Sequence, residues 1–196
     1  MGKLVDGSST RQATEADLQR YALLREDIER LPVPLLHGSQ HDRSRLFVAF
    51  FDGTGHDKES PGQRPSNIGE MAGQLREKAA GFAGGRIRWG YAAGIGTQAF
   101  PPTRALDAVH PYSWDERIEK MYTLLVDTAA EWKEKNPDAE VRVIGVGYSR
   151  GAVLVPGFTR LVDTYGIAAD SEELRFGRDR HGAITVETEL PRLAEP

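Results

Sequence analysis

The sequence predicts an α/β fold built on a mostly parallel sheet. Three observations predict it. Apolar runs of strand length, Arg45–Phe51, Arg86–Tyr91 and Val141–Tyr148, alternate with segments of helical period. The first run is apolar throughout after its arginine, as in a central strand covered on both faces. The third passes through Gly147-Tyr148-Ser149-Arg150-Gly151 directly into another apolar-periodic stretch that ends at Tyr165.

In chain order, residues 1–13 are polar and small and read as mobile. Thr14 is the predicted N-cap of a helix with Glu15 and Asp17 in its first turn, where the helix dipole favours acid. Leu18, Tyr21, Leu24, Ile28 and Leu31 form its apolar stripe, which is expected to dock on the main domain, and Pro32 and Pro34 stop it. Residues 1–40 thus read as an extension with one amphipathic helix. The strand 45–51 runs into the turn Asp52-Gly53-Thr54-Gly55, followed by a charged loop to Pro65. Asn67 with Glu70 three residues on predicts a capping box opening a helix to about Ala80. Gly81–Gly85 breaks the chain, 86–91 alternates as a strand, and Ala92–Thr97 is a glycine-rich loop leading to an irregular, proline-containing stretch. Ser113 with Glu116 predicts a second capping box. Ile118, Met121, Tyr122, Leu125, Ala129 and Trp132 then give a long amphipathic helix ending near Asn136-Pro137. After the third strand and its helix, which Gly166 ends, Ala183–Thr188 reads as a strand pairing with Leu174–Phe176 in a hairpin.

With 39% hydrophobic and 28% charged residues, the 196-residue chain can bury one sizeable core, and a net charge of −4 gives no reason to expect nucleic acid as a partner. The absence of cysteine excludes disulfides, thiolate metal sites and a cysteine nucleophile. No segment reaches the 18 or more apolar residues of a membrane span. Met1–Asp6 has no apolar h-region, so a Sec signal is not expected, and a protein working outside its own cell would need another machine to carry it.

The pentapeptide Gly147–Gly151 lies between a buried strand and a helix, the context that a nucleophile elbow requires. Ser149 would stand at the carboxyl end of the sheet, over a helix N-terminus that favours developing negative charge. The competing reading is a glycine-rich turn whose serine merely caps the helix. In a hydrolase fold, an amide from a loop after an earlier strand joins the amide that follows the nucleophile to form the oxyanion hole. Gly53 or Thr54, with Arg150, are the candidates here. The alternative is that Asp52 only caps its turn.

Other chemistries fit less well. Phe50–Thr54 is similar to the D-x-D-G-T loop of haloacid-dehalogenase phosphatases, but Phe50 stands where that nucleophilic Asp would be. No glycine loop ends in Gly-Lys-Ser/Thr, and Gly90–Gly96 lacks dinucleotide-binding spacing, so no nucleotide cofactor is expected. His37 and His41 are four apart but not on a helix, and His56 and His110 stand in loops, so no metal is expected. His181, beside Asp179, is the only histidine after the serine and the one candidate base in the chain.

Phe50-Phe51-Asp52-Gly53-Thr54-Gly55, Pro65-Ser66-Asn67-Ile68, Tyr91-Ala92-Ala93-Gly94-Ile95-Gly96-Thr97 and Ile144-Gly145-Val146-Gly147-Tyr148-Ser149-Arg150-Gly151-Ala152 occur in that order. Together they resemble the DUF2235 hydrolases, the Tle1-like catalytic domain of type VI secretion phospholipase effectors. The family's runs are F-D-G-T-x-N, a P-T-N helix start, a Y-x-x-G-x-G-T loop and G-F-S-R-G-A. His56 departs from it, standing where the family often has a small polar residue or Asn nearby.

The resemblance implies an α/β-hydrolase-like sheet over 41–196, with Ser149 as the acyl-accepting nucleophile and Asp52-Gly53-Thr54 lining the oxyanion site. It implies a phospholipid substrate and a phospholipase A delivered as an antibacterial effector to the periplasm or membrane of a target cell. Its protein partners would be an immunity protein or a component of the secretion apparatus. The family's catalytic Asp and His lie on later strands. Thr188–Leu193 resembles the segment just ahead of the Asp-bearing one, so the chain is expected to be the N-terminal part of a larger or split hydrolase whose C-terminal part completes the fold. The alternative is a non-catalytic chain that binds lipid or a partner protein.

Overall fold

The computed structural model describes residues 10–32, 42–59, 64–79, 85–94, 112–187 and 192–194. The readings made of residues 1–9, of Pro34, His37, His41 and His110, of the loop from Ile95 to Pro111 and of residues 188–191 lie outside these, as does the side chain of Ser113. The chain divides into two compact units, Met1–Leu35 and Leu36–Pro196.

The first unit, taken by itself, contains one helix among its described residues, α1 (Glu15–Arg30). Thr14 caps it as predicted, and the cap is a reciprocal box: Thr14 Oγ1 accepts the Asp17 N–H at 3.3 Å, and the Asp17 carboxylate accepts the Thr14 N–H at 2.8 Å. Arg11, 2.6 Å away, and the two Thr14 donors hold the Asp17 carboxyl well below the usual carboxylate range. Leu18, Tyr21, Leu24, Ile28 and Leu31 are exposed, and no residue of α1 is buried.

The second unit is organised by β1 (Ser44–Phe51). It is the middle strand of a three-stranded parallel sheet in the order β2-β1-β3, with β2 at Ile87–Ala92 and β3 at Glu140–Gly147. Successive side chains of a strand point to opposite faces. Phe47, Ala49 and Phe51 therefore enter one core with α3 (Tyr112–Lys135) and α4 (Arg150–Tyr165), through Tyr122, Leu125, Phe158 and Leu161. Val48 and Phe50 enter a smaller core on the other face with Ile68 and Ala72 of α2 (Asn67–Ala79). This two-sided burial is why the run is apolar throughout rather than alternating. Phe51 and Phe158 meet with ring centroids 5.7 Å apart and tilted by 56°, a favourable aromatic arrangement.

The helix after β1 starts where predicted, but its cap is Ser66, one residue ahead of the expected Asn67. Ser66 Oγ accepts the Gly69 N–H at 3.0 Å. Of the predicted hairpin, β5 (Phe176–Arg178) and β6 (Ile184–Val186) pair antiparallel. Arg178 pins it to the start of α3 through Asp115 (2.9 Å) and Glu119 (2.8 Å). One pairing has no signal in the sequence: β4 (Ile167–Ala168) with β7 (Arg192–Ala194), each too short to show a period. Tyr122, buried at the centre of α3, donates its hydroxyl to the Gly166 carbonyl at 3.0 Å and so fixes the exit of α4. Pro156 stands inside α4 and can donate no backbone hydrogen bond there.

The packing sets two expectations. Phe158→Ala, which empties a fully buried site against Phe51, should cost about 3–5 kcal/mol in urea unfolding. Tyr122→Phe should cost about 1 kcal/mol, because it removes one buried hydrogen bond and little volume. A Tyr122→Phe loss as large as that of Phe158→Ala would show that the hydroxyl does more than hold Gly166.

Candidate active site

The chain passes from β1 through α2 to β2 on one side, then through α3 to β3 on the other side of β1. The direction of winding therefore reverses between β1 and β3. In open parallel sheets, ligands bind outside the carboxyl ends of the strands at this switch point. The loops that meet there are Asp52–Gly55 after β1 and Tyr148-Ser149 after β3, and β1 and β3 end in register at Phe51 and Gly147.

Ser149 has φ 53° and ψ −126°, and is the one non-glycine residue with positive φ among the described residues. A β-substituted residue holds such a conformation only where its surroundings impose it. They do so here through two glycines. A β-carbon at Gly147 would lie 2.7 Å from the Ala152 Cα and the Gly151 carbonyl oxygen, so the strand and the helix could not pass. One at Gly151 would run into the carbonyl oxygens of Phe51 and Asp52. A capping serine has extended backbone and accepts an N–H of the first turn. Ser149 does neither: it makes no capping hydrogen bond, and its residue is exposed. The Gly151 N–H goes to the Tyr148 carbonyl (2.9 Å) and the Ala152 N–H to that of Ser149 (3.0 Å). The N–H of Arg150, the first residue of α4, lies ahead of the helical ladder.

The facing loop is held tightly. The Tyr148 N–H donates to the Phe51 carbonyl (3.2 Å), and the Asp52 N–H to that of Ala92 (3.0 Å). Gly53 packs beside Tyr148 and Ser149, since a β-carbon on it would lie 2.7 Å from Tyr148 Cδ1 and 3.4 Å from Ser149 Cβ. The His56 N–H donates to the Gly53 carbonyl (3.0 Å), and the His56 carbonyl accepts from Gly94 (2.8 Å). Gly94 presses directly on the Gly53 carbonyl, with no room for a side chain.

Asp52 is 2% exposed. One carboxylate oxygen accepts the Gly53 N–H at 2.6 Å and the other the Tyr91 hydroxyl at 2.6 Å, while Ser66 Oγ lies 2.7 Å from both. Tyr91 Oη in turn accepts the Lys58 N–H at 3.0 Å. Burial, and then the bond to the Asp52 carboxylate, raises the Tyr91 hydroxyl above the usual tyrosine pKa, so at neutral pH it is a donor. Thr54 Oγ1 is buried without a hydrogen-bond partner among the described residues.

Of the residues named from the sequence, Ser149, Gly53, Thr54 and Arg150 stand on the two loops that meet at the switch point. The Gly53 amide is already donated to Asp52. His181 stands apart in its contacts. It occupies the exposed turn of the β5–β6 hairpin, where its Nε2 accepts from Arg180 at 2.9 Å. Asp179 accepts the backbone N–H of His181 and Ala183, and these bonds keep its carboxyl below its ordinary range. No hydrogen bond among the described residues joins His181 to Ser149. The sequence reading missed the Ser66 and Tyr91 partners of Asp52; they lie 14 and 39 positions away and share no spacing rule with it.

A cavity of about 390 Å³ opens beside the carboxyl end of β2, lined by Tyr91, Ala92 and Ala93 and by Arg117, Met121 and Leu124 of α3. No three His, Cys, Asp or Glu side chains among the described residues are grouped to hold a metal ion. No helix among them is long and apolar enough to cross a membrane.

No curated protein and no solved structure matches the chain significantly. The family model for the catalytic domain of the Tle1-like phospholipase effectors of the type VI secretion system matches residues 45–181, which hold all of β1 but its first residue, the Asp52–Gly55 loop, Gly147–Gly151 and β5. The chain therefore belongs to the Tle1-like catalytic domain family of type VI secretion phospholipase effectors.

Proposed function

We propose that this chain carries the nucleophile and oxyanion site of a serine phospholipase A that acts as an antibacterial effector. The observation that carries the reading is Ser149 at φ 53° between Gly147 and Gly151, in contact with the Asp52–Gly55 loop. Family membership supports a phospholipid as substrate. In the proposed reaction, Ser149 Oγ attacks the ester carbonyl carbon and gives up its proton to a base. The carbonyl oxygen takes the negative charge and accepts the N–H groups of Arg150 and Thr54. Collapse expels the lysophospholipid alcohol, which takes that proton from the base. Water then attacks the acyl-serine ester by the reverse order of proton transfers and frees the fatty acid.

The base and its orienting carboxylate are proposed to come from a C-terminal part, in the same or a separate chain, that pairs with the sheet along β3. Two features support this. Ser149 shares no hydrogen bond with a histidine among the described residues. The outer edge of β3 has no strand partner among them, and such an edge is a template for pairing. As an effector, the protein would be delivered by the type VI apparatus to the periplasm or membrane of the target cell, with an immunity protein as partner in the producing cell.

Ser149→Ala should lower kcat on phosphatidylcholine by roughly 10³-fold or more, and retention of over about a tenth of the activity would remove Ser149 from the mechanism. His181→Ala should leave turnover nearly unchanged; complete loss would identify His181 as the base and make the chain self-sufficient. Gly94→Ala forces a β-carbon onto the Gly53 carbonyl and should cost about 1–3 kcal/mol in stability. It should also lower kcat by about 10-fold or more through the displaced loop. Unaltered kinetics in Gly94→Ala would mean that the loop takes no part in turnover.

A further inference from the structure

The geometry points to Asp52 as a positioning residue of the oxyanion site: its buried carboxylate takes the Gly53 N–H out of play and aims the next amide, that of Thr54, at the ester. The inference rests on the hydrolase reading of Ser149 and goes beyond it by assigning a role to a side chain that touches no substrate.

Three donors converge on Asp52: the Gly53 N–H, the Ser66 hydroxyl and the Tyr91 hydroxyl. An ionised carboxylate only accepts, so it can receive all three, whereas a side-chain amide of the same shape turns a donor toward at least one of them. The three donors come from three places. Gly53 is on the loop itself, Ser66 caps α2, and Tyr91 is on β2. Asp52 thus ties the loop that faces Ser149 to one helix and to the neighbouring strand, and the bond to Gly53 sets the orientation of the first peptide of that loop. An oxyanion cannot use the Gly53 N–H, which is 2.6 Å from a carboxylate oxygen and so faces a like charge. The Thr54 amide is different. Across the loop stands Gly94, where a β-carbon would lie 3.1 Å from the Thr54 nitrogen. With glycine there no side chain from that position covers the Thr54 nitrogen, and the neighbouring Gly53 packs against Ser149. The site therefore needs a buried charge that is fully satisfied by donors and whose orientation is fixed before substrate arrives, the condition for electrostatic preorganisation.

The test compares Asp52→Asn and Tyr91→Phe with Ser149→Ala in the full-length protein. It measures kcat and KM on phosphatidylcholine micelles and on a water-soluble butyrate ester, urea unfolding, and amide hydrogen exchange of residues 52–56. Asp52→Asn should fold, lose about 10²-fold in kcat on both substrates, the scale of one misplaced oxyanion donor, and keep KM within about twofold. Tyr91→Phe keeps the carboxylate and its bond to Gly53 but removes one anchor, so about a 10-fold loss in kcat with faster exchange over 52–56 is expected. A kcat within about threefold of wild type in both variants, or a loss confined to KM, would overturn the positioning role. If Asp52→Asn fails to fold, Tyr91→Phe decides by the same criteria. Ser149→Ala separates the two levels. If it hydrolyses as fast as wild type, or if wild type assayed together with its C-terminal part cleaves neither ester, the hydrolase reading has failed and the positioning role falls with it. If Ser149→Ala is dead while Asp52→Asn runs at full rate, the positioning role alone has failed.

Discussion

The arrangement depends on one backbone approach, that of Gly151 to the carbonyl oxygens of Phe51 and Asp52. The start of α4 lies directly on the end of β1, with no side chain between them. That contact brings the turn after β3 against the turn after β1, and it requires the chain to reverse within Tyr148-Ser149. The strained φ of Ser149 is the local consequence. The strain is imposed by packing on both sides: ahead of it, β3 is hydrogen-bonded to β1 from Ser44↔Glu140 to Phe51↔Gly147, and behind it α4 is anchored by Leu154, Phe158 and Leu161 in the main core. A conformation costing of order 1–3 kcal/mol is held by a core that contributes several times as much.

Around that contact the polar groups are arranged by supply and demand of hydrogen bonds. Four loops or element ends converge there, each with backbone groups that a buried position would leave unpaired. Asp52 answers three donors with one carboxylate, His56 pairs its N–H with Gly53 and its carbonyl with Gly94, and Tyr91 both gives to Asp52 and receives from Lys58. The result is a rigid floor beside an exposed serine.

The sheet is unevenly protected. β1 is buried on both faces and along both edges, whereas most of β3 is only half-buried, and its outer edge has no strand partner among the described residues. Its neighbours on the helical face, α3 and α4, are well packed and the hairpin is pinned by Arg178. The region next to Ser149 is thus open on the side of β3 and closed on the side of β1.

The sequence by itself determined the alternation of strands and helices, the central place of β1, the cap at Thr14, the hairpin and the elbow serine. Each of these is written in a local period or in a short motif with a steric reason: an unbroken apolar run needs cover on both faces, and G-x-S-x-G between strand and helix needs glycines where backbones touch. Only the tertiary structure decided that the Gly53 N–H goes to Asp52, that Ser66 rather than Asn67 caps α2, and that His181 stands in an exposed hairpin turn with Arg180 as its neighbour. These outcomes turn on hydrogen bonds between residues far apart in the chain, such as Asp52 with Tyr91. A local pattern reports which face or turn a residue occupies, but not which distant donor will meet it once the strands are in register.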